Sequence, residues 1–177
     1  MAFIKKSSDP FLSLATIKTW DDLILDAKNK NICLMPFDIY AYASTFDGVE
    51  IINDDLSAEI SGLIEYASDG GFIIAINKYH SYERRRFTLA HEFAHYAMHK
   101  DYIIKNKKII DNTALFRDRQ SALKNEANEF ASKLLMPKDE FIAAIQRGKR
   151  RLGDLAEHFG VTAAAVKYRA YKLDLIK

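Results

Sequence analysis

The stretch FTLAHEFAHYAMH at residues 87–99 decides how the rest of the chain is interpreted. It contains the motif HExxH, formed by His91, Glu92 and His95, and no Gly or Pro interrupts it. Residues four apart share one face of a helix, so the two imidazoles can bind one zinc ion together. Glu92 is turned by about 100° from His91, where it can take a proton from a metal-activated water. We prefer this metal site over a chance motif because all three positions are filled on a strongly helical segment.

The composition indicates an ordinary globular domain. The chain has 177 residues, a net charge of +2 and a single cysteine, Cys33, which excludes an internal disulfide framework. This charge is too small to indicate a nucleic-acid or membrane partner by itself. The first residues lack the apolar region of a signal peptide, and no apolar run is long enough to span a bilayer. We therefore expect a cytoplasmic protein without a membrane partner.

The periodicity along the chain predicts an α+β fold, in which a small mixed or antiparallel sheet packs on a helical core that carries the HExxH helix. We expect a lead-in at 1–18, a main domain around the HExxH helix at 19–147, and a packed C-terminal helical segment at 148–177. Helices are predicted at about 19–30, 36–44, 121–136 and after Pro137. A further pair is predicted between 152 and 175, broken at Gly160, with Thr162 as the cap of its second helix. Strands are predicted at 49–52 and, as a hairpin, at 60–67 and 72–77, and a polar surface connection at 100–120.

A third zinc ligand is needed, because catalytic zinc usually has three protein ligands and one open position. His99 lies two helical turns from His91, too far to complete the same coordination sphere, so we expect it at the surface or behind a ligand. Asp101 would need a bend that this helix has no Gly to make. A carboxylate from another helix remains, and the helix at 121–136 offers Glu126 and Glu129.

Two longer motifs give the chain a resemblance to the ImmA/IrrE family of zinc metallopeptidases. They are RFTLAHEFAHY at residues 86–96 and EANEFASKLLMP at residues 126–137, with shorter matches at 36–39, 61–64 and 159–162. The resemblance implies a compact α+β domain with a gluzincin-like zinc site, so the domain at 19–147 is expected to be metallopeptidase-like. The best-known members are encoded by mobile elements and prophages or act in stress responses, and they cleave a DNA-binding repressor.

One position departs from the family pattern. The family usually has its third ligand, a Glu, four residues before the Asn that is Asn128 here, and this chain has Lys124 at that place. An ammonium group has no lone pair for a metal. Glu126 is turned about 200° away on an ideal helix. Either the helix is rotated so that Glu126 becomes the third ligand, which is the assignment we make, or two His residues and waters hold zinc, or the site is degenerate.

The sequence therefore predicts a zinc-dependent endopeptidase that cleaves a cytoplasmic repressor or antitoxin-like partner, with Glu92 as general base. Asn128 is expected to orient a metal-bound His from behind. A tyrosine such as Tyr79 or Tyr82 could steady the oxyanion, but nothing in the sequence selects one. We expect the substrate to lie as an extended peptide along a sheet edge. The alternative is an inactive, protein-binding regulator, since Lys124 stands where a ligand is expected.

The C-terminal segment has the sequence pattern of a helix–turn–helix from Leu155 to Arg169. A DNA-binding role would use this segment and the basic cluster at 147–151. We prefer two short helices that pack on the catalytic core with solvated basic residues, so direct nucleic-acid binding is not expected.

Overall fold

The computed structural model describes residues 20–112 and 118–177, and the side chains of these ranges except those of 118–121. The described part has an α+β fold, as predicted. The predicted lead-in at 1–18 and the start of the first helix at Thr19 lie outside the described residues. The helices are α1 Trp20–Asn29, α2 Ile39–Ala43, α3 Tyr82–Met98, α4 Lys100–Asn106, α5 Asp118–Leu135, α6 Lys138–Gln146, α7 Leu152–Phe159 and α8 Ala163–Lys172. None of these helices is long and apolar enough to cross a membrane.

The sheet has four strands, β1 Val49–Asp54, β2 Ile60–Tyr66, β3 Phe72–Asn77 and β4 Lys108–Asn112, in the order β1-β3-β2-β4. β1 runs parallel to β3, and the other two pairs are antiparallel. The predicted hairpin is confirmed as β2 and β3. Because β3 lies between two strands and is buried along almost its whole length, its uninterrupted apolar sequence is explained.

The prediction of a surface connection at 100–120 is wrong for the part that is described. Residues 100–112 form α4 and the edge strand β4. The four lysines of this stretch suggested a solvated loop, but the neighbouring Ile103 and Ile109 are almost fully buried. A few buried positions within a polar stretch were enough to order it.

The second helix begins later than predicted. Pro36 lies before α2, whose first residue is Ile39, and the Asp38 side chain caps it by accepting a hydrogen bond from the amide of Ala41 at 3.0 Å. The carboxylate of an N-cap satisfies an otherwise unpaired helix donor.

Helix α3 lies at the centre of the molecule. It packs on β2 and β3 on one side and on α5 on the other. Four buried aromatic side chains form the adjoining core, with edge-to-face or tilted contacts at ring-centroid distances of 5.2–6.2 Å: Tyr42, Phe46, Phe93 and Tyr96. Since α3 is packed from both sides, the HExxH side chains are fixed by the core itself.

The C-terminal helices pack against the rest of the fold. Gly160 ends α7 in the left-handed conformation, and Thr162 caps α8 through its side chain, as predicted. The buried guanidinium group of Arg86 on α3 donates hydrogen bonds to the main-chain oxygens of Phe37 at 2.6 Å, Phe159 at 2.8 Å and Gly160. One side chain therefore ties α3 to the start of α2 and to the end of α7. The boundary at residue 148 stays a prediction.

We expect Arg86→Met to lower the free energy of unfolding by about 3 kcal/mol or more, because three carbonyl oxygens lose their donor in the interior. Urea denaturation measures the change. Arg85→Met is the matched control, since the contact of Arg85 with Asn53 is a single hydrogen bond of 3.3 Å at the surface. Equal losses in both variants would show that the buried contacts of Arg86 carry no special weight.

Candidate metal centre

The HExxH side chains project from a helix whose ends are well defined. Ser81 caps the start of α3 by accepting a hydrogen bond from the amide of Arg84. From that start, the helix continues through the core, where His91, Glu92 and His95 are each at most 2% exposed. The sequence prediction of a buried helix is confirmed.

The ring nitrogens of His91 and His95 face each other. Their Nε2 atoms lie 3.1 Å apart. The other nitrogen of His91, Nδ1, lies 2.8 Å from Oδ1 of Asn128. Because an amide oxygen only accepts, His91 carries its hydrogen on Nδ1, and its Nε2 has a free lone pair.

The orientation of His95 is fixed by a series of hydrogen bonds that runs through His99 to Glu126. Its Nδ1 lies 2.8 Å from Nδ1 of His99, and Nε2 of His99 lies 2.9 Å from a carboxylate oxygen of Glu126. A carboxylate accepts, so His99 carries its hydrogen on Nε2, and its Nδ1 accepts from Nδ1 of His95. The Nε2 of His95 is then also a bare lone pair.

Two lone pairs that face each other at 3.1 Å repel unless a cation lies beside them. Neutral imidazole nitrogens are common zinc ligands, and Asn128 and His99 supply the outer hydrogen bonds that such ligands usually make. Burial lowers the pKa of His91, and it lowers that of His95 to about 2, helped by the neighbouring His rings and Lys124. The rings therefore stay neutral, and this pair of donors fits a zinc ion.

The carboxylate of Glu92 is fully buried, and among the described residues neither of its oxygens has a hydrogen-bond partner. Burial and then the nearby Asp111 raise its pKa well above the usual value, while Lys124 opposes them. The strand β2 passes close to α3 at Gly62. A Cβ added at Gly62 would lie 2.6 Å from Thr88 Cγ2 and 3.2 Å from Glu92 Oε1. Only a glycine fits against this part of α3 without a shift.

The two acidic residues near the His pair occupy different places. The carboxylate of Glu126 is 61% exposed and is bound to His99, so its assignment as third ligand stays a prediction. Asp111 on β4 forms a group with His91 and Glu92 in which all three potential ligand atoms lie within 4.8 Å of one another. His95 is not a member of that group. Sequence reasoning missed Asp111 because it treated this stretch as a loop, although Ile109 and Asp111 have the two-residue spacing of one strand face.

Lys124 lies beside Asp111 in the same site. Its ammonium group donates to the main-chain oxygen of Asn112 at 2.9 Å and lies 3.5 Å from Oδ1 of Asp111, and the side chain is only 15% exposed. Its positive charge lowers the pKa of His91 and His95 and repels any metal cation that would bind at this site.

A cleft of about 430 Å³ opens onto the His91 side of this centre. Its walls come from β2, α3, β4, α5 and α8, with Ser61, Arg84, Phe87, Thr88, His91, Asp111, Asn128, Thr162, Ala164, Ala165 and Tyr168. The two tyrosines considered from the sequence lie elsewhere. The hydroxyl of Tyr79 is bound to Asp55, and Tyr82 stacks on Tyr40. Tyr168 is the tyrosine of this cleft, and no sequence signal singled it out.

The family assignment follows from comparison with known proteins. The sequence model of the IrrE N-terminal-like domain, peptidase family M78, matches residues 47–171, more than half of the chain. The chain belongs to this family. No curated protein matches the chain. Among solved structures, a Mycobacterium tuberculosis transcriptional regulator is similar with a TM-score of 0.58 at 18% identity, over 90% of this chain and 51% of that one. This likeness concerns the fold alone, and the chain spans about half the length of that regulator.

We expect Glu92→Gln to stabilise the metal-free protein at alkaline pH. The folded-state pKa of Glu92 is raised, so the wild type loses stability as the pH rises from the ordinary Glu value of about 4.3 through the raised pKa. The variant has no carboxyl group to ionise at this position, so its free energy of unfolding does not fall in this way. The difference in stability between variant and wild type should disappear below about pH 4. Urea denaturation of chelator-treated protein between pH 4 and 9 measures the difference.

Glu129→Gln is the control for this experiment. The pKa of Glu129 is lowered by its hydrogen bond to Lys133, so the sign is opposite and no gain is expected at high pH. A Glu92→Gln variant whose relative stability does not change with pH would contradict the environment described for Glu92.

Proposed function

We propose that the chain is a zinc-dependent endopeptidase of the ImmA/IrrE type. The observation that carries this proposal is the pair of bare Nε2 atoms of His91 and His95 beside the buried, unpartnered carboxylate of Glu92. Membership of a family described as peptidases supports it. The substrate is a protein, and from the family resemblance we propose a cytoplasmic DNA-binding repressor or an antitoxin.

Each residue has a distinct role in this mechanism. His91 and His95 would hold zinc, and Asn128 keeps His91 in the tautomer whose lone pair is free. When bound, zinc would polarise the scissile carbonyl and make a water molecule more acidic. Glu92 takes up a proton from the attacking water at its carboxylate and gives it to the leaving amine nitrogen. Its carboxylate is buried and has no hydrogen-bond partner among the described residues, so no other group competes for the proton between these two steps.

Two carboxylates compete for the third ligand position. Glu126 is the residue proposed from the sequence, and it would have to release His99 to reach the metal. Asp111 is grouped with His91 and Glu92, and it would have to turn from Lys124 towards His95.

An extended peptide would bind by strand addition to β4. The hairpin strands β2 and β3 are inner strands, so the edge beside the cleft is β4, which among the described strands pairs with β2 alone. Asp111 lies on this strand and lines the cleft. A strand added there would pass the metal centre.

The second candidate function is a protein-binding regulator without catalysis. The partly buried ammonium group of Lys124 favours it, because a positive charge held against Asp111 weakens zinc binding. On this reading the cleft binds a partner without cleaving it.

Cleavage of a peptide library by the zinc-loaded full chain, read out by mass spectrometry, separates the two functions. We expect Glu92→Gln to lower cleavage by roughly 10²–10⁴-fold while the bound zinc is retained, because the proton acceptor is lost. Glu129→Gln is the control, since its carboxylate is bound to Lys133 away from the centre.

Equal cleavage by Glu92→Gln and wild type would contradict the proposed mechanism. If the wild type binds little zinc and Lys124→Glu restores both zinc and cleavage, the regulator is favoured for the natural chain.

We expect Ile110→Pro to lower cleavage at least fivefold, since a peptide on β4 loses one main-chain hydrogen bond worth about 1 kcal/mol. The amide of Tyr66 on β2 donates to the main-chain oxygen of Lys107, so these two residues form a hydrogen-bonded pair. Hydrogen-bonded and non-hydrogen-bonded pairs alternate along antiparallel strands, so the amide of Ile110 points away from β2. The control is Ile110→Ala, which loses the side chain and keeps the amide. Equal rates for the two variants would exclude strand addition at this position.

A further inference from the structure

We infer that Glu126 acts on the metal centre through His99, as a positioning residue that keeps the metal-facing nitrogen of His95 free of a hydrogen. The chain Glu126–His99–His95 is continuous, with distances of 2.9 and 2.8 Å. The link to zinc rests on the proposed function, but the direction of the hydrogen bonds does not.

The two metal-facing rings are oriented by unlike partners. His91 contacts an amide oxygen, which can only accept, so its tautomer is fixed by one neighbour. His95 contacts another imidazole, and a neutral imidazole nitrogen donates or accepts according to its tautomer. His99 alone therefore leaves the direction of the hydrogen bond to His95 undetermined.

The opposite direction would block the centre. If His99 carried its hydrogen on Nδ1, it would donate to Nδ1 of His95, and His95 would carry its own hydrogen on Nε2. That hydrogen would point at Nε2 of His91, 3.1 Å away, and make a favourable hydrogen bond. In that state Nε2 of His95 would have no free lone pair, and both rings would have to change tautomer before zinc could bind.

Glu126 decides between these two states, because an ionised carboxylate has no hydrogen to give. It accepts from Nε2 of His99, which leaves Nδ1 of His99 as an acceptor for His95. The side chain of His99 is 6% exposed and that of Glu126 is 61% exposed. The series of hydrogen bonds therefore leads from the buried centre to the surface. The carboxylate keeps much of its hydration there and still acts on a buried ring.

The direct test is the tautomer of each ring in the chelator-treated full chain, read from long-range ¹H–¹⁵N spectra at pH 8. In the wild type we expect His95 with its hydrogen on Nδ1 and His99 with its hydrogen on Nε2. Glu126→Lys places a donor-only group beside His99 and should shift His95 towards the Nε2–H tautomer. Glu126→Ala removes the acceptor and should give a mixture. Glu129→Lys makes the same charge change on α5 and should leave both rings as in the wild type.

Zinc affinity, measured by competition with a chelator, is the second readout. We expect Glu126→Lys to weaken zinc binding by roughly 10–100-fold, as is typical for outer partners of metal-binding His residues, and Glu129→Lys to change it little. A wild type with His95 in the Nε2–H tautomer, or a Glu126→Lys variant with unchanged tautomers, would overturn the inference. Lost zinc affinity with unchanged tautomers would instead identify Glu126 as a ligand.

The two proposals fail in different ways. If no variant and no wild type binds zinc, the proposed function fails, while the tautomers of the metal-free protein still decide the role of Glu126.

Discussion

The centre depends on the repulsion between two nitrogen lone pairs, those of Nε2 in His91 and in His95, held 3.1 Å apart in a dry interior. Neither ring can turn away, because each is bound from behind, one by Asn128 and the other by His99. Neither ring readily takes up a proton, because burial lowers the pKa of both. With both rings in the tautomers proposed above, the two nitrogens form an arrangement that a bound cation would stabilise.

The packing around α3 explains how the chain maintains this arrangement. The sheet packs on one side of the helix and α5 on the other, and Arg86 ties its first turns to the ends of two other elements. Helix α5 contributes Lys124, Glu126 and Asn128, which contact β4, His99 and His91 respectively. A small rotation of α5 would thus change the charge, the tautomers and the cleft at the same time.

Local signals were sufficient for much of the fold. The HExxH helix, the hairpin, the Gly160 break and the Thr162 cap were predicted correctly because each is encoded within a few residues. The edge strand β4 was not, because its order depends on pairing with β2 and on two buried isoleucines among lysines. Asp111 was missed for the same reason, and the contact between Glu126 and His99 joins two helices that no sequence pattern relates.

X-ray absorption at the zinc edge tests the central claim most directly, using the full chain loaded with one equivalent of zinc. We predict two imidazole ligands at about 2.0–2.1 Å, with oxygen donors completing a tetrahedral shell. Replacing His95 by Asn should remove one imidazole from the spectrum. A zinc ion bound without imidazole scattering, or no zinc retained after buffer exchange, would contradict a cation site between His91 and His95.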